Sequence, residues 1–588
     1  MHIFNIVKSR VKLATKNLLD NIDDVEISVE SPKNPLHGDI AINAAMVLTK
    51  LLRQPPLEIA ERLVETLKQD SGLMEYVESF DIAAPGFINI SLKKSCLFKF
   101  LTDLNNKGLK AFDDDIKIGN GRKINIEFAS PNPTGPMHIG HARSAIYGDI
   151  TCRLLRKCGF NVTAEFYVND AGAQIDKLVG SLYIRYRQLL GDDIEIPEGY
   201  YPGEYLIDLA KQLQSERGNR VPENDPYIKK FAVYEMLQLI KKDLKALGVH
   251  HDVFTSERSL IGQGLVEEAI EILQSKGFIY HGVLDKPKGN ADEDWEPREQ
   301  LLFRSTKFGD DSDRAIIKSD GSYSYFASDI ALHLDKLRRG YNELFLVLGA
   351  DHAGYINRIT AAVHALSNNT VKINVIVNQL VNIYKDGKPI KMSKRKGNFV
   401  TVGDLLEELS PDILRFAMLM QKNNTVIDID CEKMLEKSKE NPVFYIQYAH
   451  TRIASIIRNA TQIFTNEEIS IKAVENDITY NFKPVSEIDY KLLQSELEMD
   501  LIKCLMEFPR VIELAANHKE PHRIVYYLYE VANHLHSMWH AGVSDSEMRC
   551  IIENNSKLSR ARISLVYSVS LVIYYGLDII GVKPLLEM

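Results

Sequence analysis

Apolar positions along the chain switch repeatedly between two periods. In VKSRVKLATKNLLDNI and PPLEIAERLVETLKQ they recur every three to four residues, which predicts amphipathic helices, the second opening on proline as a first helical turn allows. GFINISL reads as a strand, and HGDIAINAAMVLTKLL carries a Gly-Asp turn into a helix. Residues 111 to 122, AFDDDIKIGNGR, are polar and glycine-bearing, as a linker would be. Next, Ile124, Ile126 and Phe128 alternate as a strand. Pro131, Pro133, Gly135 and Pro136 then forbid continuation of strand or helix, and HIGHARSAIYGDITCRLLRKCGF takes up helical spacing.

The strand-then-helix step repeats in AEFYVNDAGAQIDKL. Residues 181 to 250 are mostly helical and charged, and read as an insertion between two halves of one sheet. Alternation resumes near residue 270 and continues through ELFLVLGADHAGYINRITAAVHAL and KINVIVNQLVNIY. The latter ends at the hairpin-type turn Asp386-Gly387, before the basic stretch KPIKMSKRKGNF. From about 411 every segment has helical spacing, with no strand signal and no repeat. The pattern predicts a multidomain α/β protein. A small N-terminal α/β module spans 1–110. A Rossmann-type parallel-sheet domain spans 111–410, with its insertion at about 181–250 and the basic loop at 391–398. An all-α bundle spans 411–588.

Composition narrows this little. At 588 residues, 45% hydrophobic and 26% charged, the chain has the make-up of a soluble globular protein. The net charge of −9 gives no bulk pull towards nucleic acid, and residues 411–588 hold 19 Lys+Arg against 24 Asp+Glu. Any RNA contact there rests on local clusters and shape. The six cysteines include no C-x-x-C pair, which predicts reduced buried thiols, no structural zinc and no other metal site. No secretion signal is visible in MHIFNIVKSRVK. The uncharged run Ile563 to Leu577 is short for a membrane span and reads as a buried bundle helix. A cytoplasmic protein with no membrane partner is expected.

Two stretches carry chemistry. At 131–141 a strand, a rigid turn and a helix N-terminus form an anion-binding corner, where free backbone N–H groups meet the positive end of the helix dipole. His138 and His141, three apart, share one helix face and can reach one ligand. Imidazoles there can stabilise charge on the bridging oxygens of a nucleoside triphosphate, and Gly140 leaves room for a flat purine. The second stretch is Lys391-Met392-Ser393-Lys394-Arg395-Lys396-Gly397-Asn398. Lysines on a glycine-bounded loop can fold over a triphosphate and neutralise a leaving pyrophosphate. A basic run alone is more often a solvated face, and two lone histidines are more often capping residues. Together, in two halves of one sheet, they point to a nucleotide site.

HIGH at 138–141 with KMSK at 391–394 resembles the paired signatures of class I aminoacyl-tRNA synthetases. The flanking blocks IEFASPNPTGPMHIGHARSAIYGD, YVNDAGAQI, REQLLFRSTKFGDDSDRAIIKSDGSYSYFASDIA, LGADHAGY and NPVFYIQYAHTRI resemble the arginyl-tRNA synthetase family of bacterial type, over nearly the whole chain. The resemblance implies an arginine–tRNA ligase that uses ATP with Mg²⁺, L-arginine and tRNA(Arg), and a monomer. It implies catalytic roles for His138, His141, Lys391 and Lys394. It places ATP on His138, Gly140, His141, Asp351, Met392, Ser393 and Lys394. It places arginine on Glu127, Ser130, Asn132, His141, Tyr325, Asp329 and His352.

The physics runs the same way: two carboxylates reaching one pocket from different strands suit the planar five-donor guanidinium, and they reject citrulline. Read by position alone, Glu127 is a solvated strand carboxylate, Asp329 a helix N-cap and Tyr325 a core residue. By resemblance the N-terminal module touches the tRNA elbow and the bundle reads the anticodon, with Tyr445, Tyr448, Tyr526, Tyr527 and Trp539 as base-stacking candidates. The insertion of roughly 70 residues is too small for a separate hydrolytic domain, so no editing is expected. The alternatives are another class I synthetase, or an inactive paralogue that binds tRNA.

Overall fold

The computed structural model describes residues 1–18, 25–284, 297–318, 321–389, 400–463, 470–474, 477–481 and 488–588. These form two compact units. One comprises 119–436 with 520–522, the other 1–118, 437–519 and 523–588.

The first unit is built on a five-stranded, all-parallel sheet. Its order is Lys372–Asn378, Glu343–Gly349, Lys123–Phe128, Asn161–Val168, Val253–Ser256. From the central strand Lys123–Phe128 the chain runs outward to one side, then returns to lay Glu343–Gly349 on the other. The carboxyl ends of these two strands therefore flank a topological switch point, where open α/β sheets bind ligands. The first helix, Ile139–Lys157, packs close enough to the central strand that a Cβ on Gly148 would lie 2.1 Å from the Phe128 ring. Helices Ala173–Leu189, Tyr205–Arg217 and Pro226–Ala246 form the expected helical insertion, with its own core around Leu178, Leu182, Leu206, Phe231 and Met236. The alternating pattern resumes earlier than near 270: the edge strand Val253–Ser256 is only four residues long, too short to show a period.

Helix Tyr325–Arg338 buries Phe326, Ala327, Ile330, Ala331 and Leu334 in an apolar cluster with Leu265, Phe303 and Ala361. That packing leaves Tyr325, Asp329, His333 and Lys336, at helical spacing, as its polar stripe.

In the second unit an antiparallel sheet, ordered Val29–Glu30, Ile40–Ile42, Phe87–Leu92, Val77–Ala83, is joined to a helical bundle. Lys503 to Asp39 at 2.8 Å, Asn5 to Glu513 at 2.7 Å and Tyr575 to Asp113 at 2.7 Å tie the two. Helix Ser556–Ile580 alone among the described residues is long and apolar enough to cross a membrane, and it is buried within the bundle. The C-terminal region is not wholly helical. Ile427–Asp430 pairs in parallel with Val381–Lys385, and Ser470–Val474 forms a hairpin with Asp477–Asn481. The reason lies in short alternations, such as Ile471 and Ala473 or Ile478 and Tyr480, that a reading for helical stripes passes over.

Candidate active site

The corner after Lys123–Phe128 is held from several sides. Ala129 takes a left-handed backbone conformation (φ 49°), turning the chain out of the strand. The Ser130 hydroxyl accepts from the Tyr167 N–H at 2.9 Å, and Asn132 donates to Gln174 at 2.6 Å. The backbone of Met137 donates to Asp243 at 3.2 Å and accepts from Val402 at 2.9 Å. His138 caps the helix: its Nδ1 accepts from the Gly140 N–H at 3.2 Å, while the His138 N–H donates to His141 Nδ1 at 3.4 Å. The two rings stack with centroids 3.6 Å apart. With both Nδ1 atoms accepting, each neutral ring carries its proton on Nε2, a donor for an anion. A Cβ on Gly140 would come within 3.1 Å of the His138 ring, so glycine there also keeps the capping geometry open.

The acidic pocket lies at the same end of the sheet. Glu127 is buried and paired with the buried Lys336, about two turns after Asp329 on helix Tyr325–Arg338. Sequence reading missed Lys336, because an interior lysine leaves no mark in a pattern of apolar positions. The neighbouring strand carboxylate, Glu165, is fully buried and saturated: Arg339 donates twice, at 2.7 and 2.8 Å, and Asn125 donates at 2.5 Å. Burial opposes its charge, but Lys336 and Arg339 hold it below the usual carboxylate range.

Asp329 contrasts with both. Its carboxylate takes no hydrogen bond among the described residues. Burial, with Glu127 and Glu257 beside it, pushes it up to about 8, against the opposing pull of Arg358 and Lys336. It is no N-cap: Ser324 occupies that position, and Asp329 sits a turn into the helix. Glu257 is the second acid that sequence reading missed. It is 5% exposed, its Oε2 has no hydrogen-bond partner, and burial together with Asp170 raises it despite a bond from Ser328. No local motif marks it; it is simply the first residue after the short edge strand.

Tyr325 opens the pocket to solvent. It is 55% exposed, so it is not core, and the Lys318 ammonium lies 5.8 Å from its ring centre. Asp351 and His352 fall in the helical turn Ala350–Tyr355, which follows the strand end across the switch point; their side chains lie outside the described residues. Lys391, Met392, Ser393 and Lys394 also lie outside the described residues. The chain reappears at Thr401, which bridges the backbone of His138 and caps helix Val402–Glu408. That loop therefore ends at the histidine corner.

In the second unit the aromatic candidates separate. The Arg452 guanidinium lies 4.5 Å from the ring centres of both Tyr448 and Trp539. Tyr445 stands 4.4 Å from the His536 ring and donates to Asn533 at 3.3 Å. Tyr448 and Tyr526 are exposed. Tyr527 is not available to a base: it is 5% exposed and its hydroxyl donates to the Cys504 carbonyl at 2.9 Å. Consecutive helical residues point about 100° apart, so Tyr526 and Tyr527 cannot share a face.

Known families match successive parts of this chain. The arginyl tRNA synthetase N terminal domain matches residues 5–92, the class I (R) tRNA synthetase catalytic domain 104–459, and the DALR anticodon binding domain 446–588. The arginine–tRNA ligase of Wolbachia pipientis subsp. Culex pipiens (strain wPip) is 45% identical over 588 residues, covering 100% of this chain and 99% of its own. That of Rickettsia rickettsii (strain Sheila Smith) is 44% identical over 594 residues, covering 100% of both. The solved Thermus thermophilus arginyl-tRNA synthetase covers 100% of both chains with a TM-score of 0.68 at 18% identity, a likeness of fold.

Proposed function

The chain belongs to the class I arginyl-tRNA synthetases and is an arginine–tRNA ligase, and from that premise we propose which of its side chains do the work. The established reaction has two steps. The arginine carboxylate attacks the α-phosphate of ATP, releasing diphosphate and leaving arginyl-adenylate. A hydroxyl of the terminal adenosine of tRNA(Arg) then attacks the adenylate carbonyl, and AMP leaves. ATP enters as its Mg²⁺ complex.

The guanidinium is held by Asp329 and Glu257 beneath Tyr325. The observation that carries this reading is the pair of under-satisfied carboxylates at Asp329 and Glu257, one without a hydrogen bond among the described residues and one with an orphaned oxygen. An arginine side chain brings five donors and one charge to a place that lacks both. Glu127, already neutralised by Lys336, shapes the field rather than carrying the charge pairing. Ser130 and Asn132 line the turn where the substrate's amino and carboxyl groups would sit. The Nε2–H groups of His138 and His141 face the phosphates, donating to oxygens that gain charge as the pentavalent phosphorus forms. Lys391 and Lys394 neutralise the leaving diphosphate, and Asp351, His352, Met392 and Ser393 contact the nucleotide.

Discrimination by a charged, bidentate pocket needs no second sieve, so the helical insertion is not an editing site. Tyr445, Tyr448, Tyr526 and Trp539 with Arg452 form the RNA-stacking face of the bundle. The working form is a cytoplasmic monomer whose activation step depends on tRNA.

Isotope exchange between ATP and diphosphate, run with each amino acid in the presence and absence of tRNA(Arg), tests the assignment. Exchange with arginine alone among the amino acids, and only with tRNA, is expected. Arginine-dependent exchange that survives Asp329→Asn with an unchanged KM for arginine would remove that residue from the pocket.

A further inference from the structure

Away from the residues assigned to activation, one cluster of donor atoms stands within the helical bundle. Helix Glu496–Met506 packs on helix His522–Ser544, where Tyr527 holds the Cys504 carbonyl. At that junction a Cys504 sulfur, a Glu530 carboxylate oxygen and a His534 ring nitrogen all lie within 4.8 Å of one another. Glu530 and His534 are four residues apart, so they present side by side from one helix face. Cys504 faces them from the other helix and is 8% exposed, whereas Glu530 is exposed and His534 half-buried. None of the three side chains has a hydrogen bond or ion pair among the described residues. The neighbouring Glu507 is by contrast satisfied, accepting from Arg510 at 2.8 Å and from Ser31.

A thiolate, an imidazole and a carboxylate are a poor set for Mg²⁺ or Ca²⁺ and a good one for a borderline-soft divalent ion. Metal–ligand bonds of roughly 2.0–2.3 Å put tetrahedral donors about 3.3–3.8 Å apart. The three donor atoms, within 4.8 Å of one another, stand somewhat wider than that without the ion.

We propose that Cys504, Glu530 and His534 form a zinc-binding site that clamps the two helices, with the fourth position open to water. On binding, the Cys504 S–H bond breaks, its proton passes to solvent and a Zn–S bond forms. Zinc motifs read from sequence rely on close spacing of cysteines and histidines. Here Cys504 stands 26 residues before Glu530, so only the fold brings the set together.

The test uses the full chain, stripped with a chelator, reloaded with zinc chloride and dialysed. Retention of about one zinc per chain, as for a three-ligand site with water in the fourth position, is expected by elemental analysis. Cobalt(II) in place of zinc should give a thiolate-to-metal charge-transfer band. Both should be lost in Cys504→Ser and in His534→Gln. The second variant changes a half-buried helix residue without a hydrogen bond, so its folding is not in question, and circular dichroism checks it. Wild-type protein that retains no zinc, or variants that retain as much as wild type, would overturn the proposal.

Discussion

A buried carboxylate in one unit and a half-buried one in the other receive opposite treatment. Glu498 in the bundle accepts from Arg562 Nε at 2.7 Å and from the backbone N–H groups of Gln494 and Ser495, both at 2.9 Å. Every lone pair that matters is used, and the group closes a helix N-terminus. Asp329 in the catalytic unit is half-buried and takes no hydrogen bond among the described residues, and desolvation with acidic neighbours pushes it up to about 8. The first arrangement spends charge on holding helices together. The second leaves a carboxylate without such partners, the kind of perturbed group that clusters at functional sites rather than in structural ion pairs.

Breaking the structural pair should give the largest effect. Arg562→Met strands Glu498 and should cost about 3–5 kcal/mol of stability in denaturant unfolding, with arginine affinity unchanged. A loss below about 1 kcal/mol would make the pair ornamental.

Asp329→Asn should do the reverse, weakening arginine binding by ~1.5–3 kcal/mol in titration calorimetry. Its stability effect has the opposite sign. A carboxyl raised from 3.8 to about 8 binds its proton more tightly folded than unfolded, so its contribution to stability falls as pH climbs through that window. The Asn variant should therefore melt above wild type, by a margin that widens towards pH 8 and then stays constant. A lower melting temperature would return Asp329 to a structural role.

Tyr527→Phe removes one hydrogen bond and should cost about 1 kcal/mol of stability with tRNA affinity untouched. Tyr448→Ala should instead weaken tRNA and leave the melting temperature near its original value. Filter binding and thermal scans on both variants separate packing from recognition in the bundle.

The smallest change is expected for Glu257→Gln. Removing a negative neighbour lowers Asp329, so the midpoint of arginine binding against pH should move down from about 8. A midpoint that stays put would take Glu257 out of contact with the substrate's field.

How much of this the sequence revealed depends on locality. The corner at 131–141 was legible because its turn is written in consecutive prolines and glycine, and the parallel sheet because its strands alternate with long helices. Tyr325 and Asp329 share one helix with Lys336, yet only the first two drew attention, since an interior lysine leaves no mark in a pattern of apolar positions. Glu257 follows a four-residue strand with no period to register. The N-terminal sheet and the bundle form one compact unit although more than 300 residues separate residue 118 from residue 437, and no local signal encodes that pairing. Short alternations at 470–481 lost out to the helical stripes around them.

If Asp329, raised to about 8, pairs with the guanidinium as proposed, its proton leaves as arginine binds. Arginine affinity measured by calorimetry from pH 6 to 9, in buffers of different ionisation enthalpy, tests it directly. Affinity should rise about tenfold per pH unit up to about 8, with about one proton released per arginine bound, then level off, and the dependence should vanish in Asp329→Asn. A flat wild-type profile with no proton released would contradict the account.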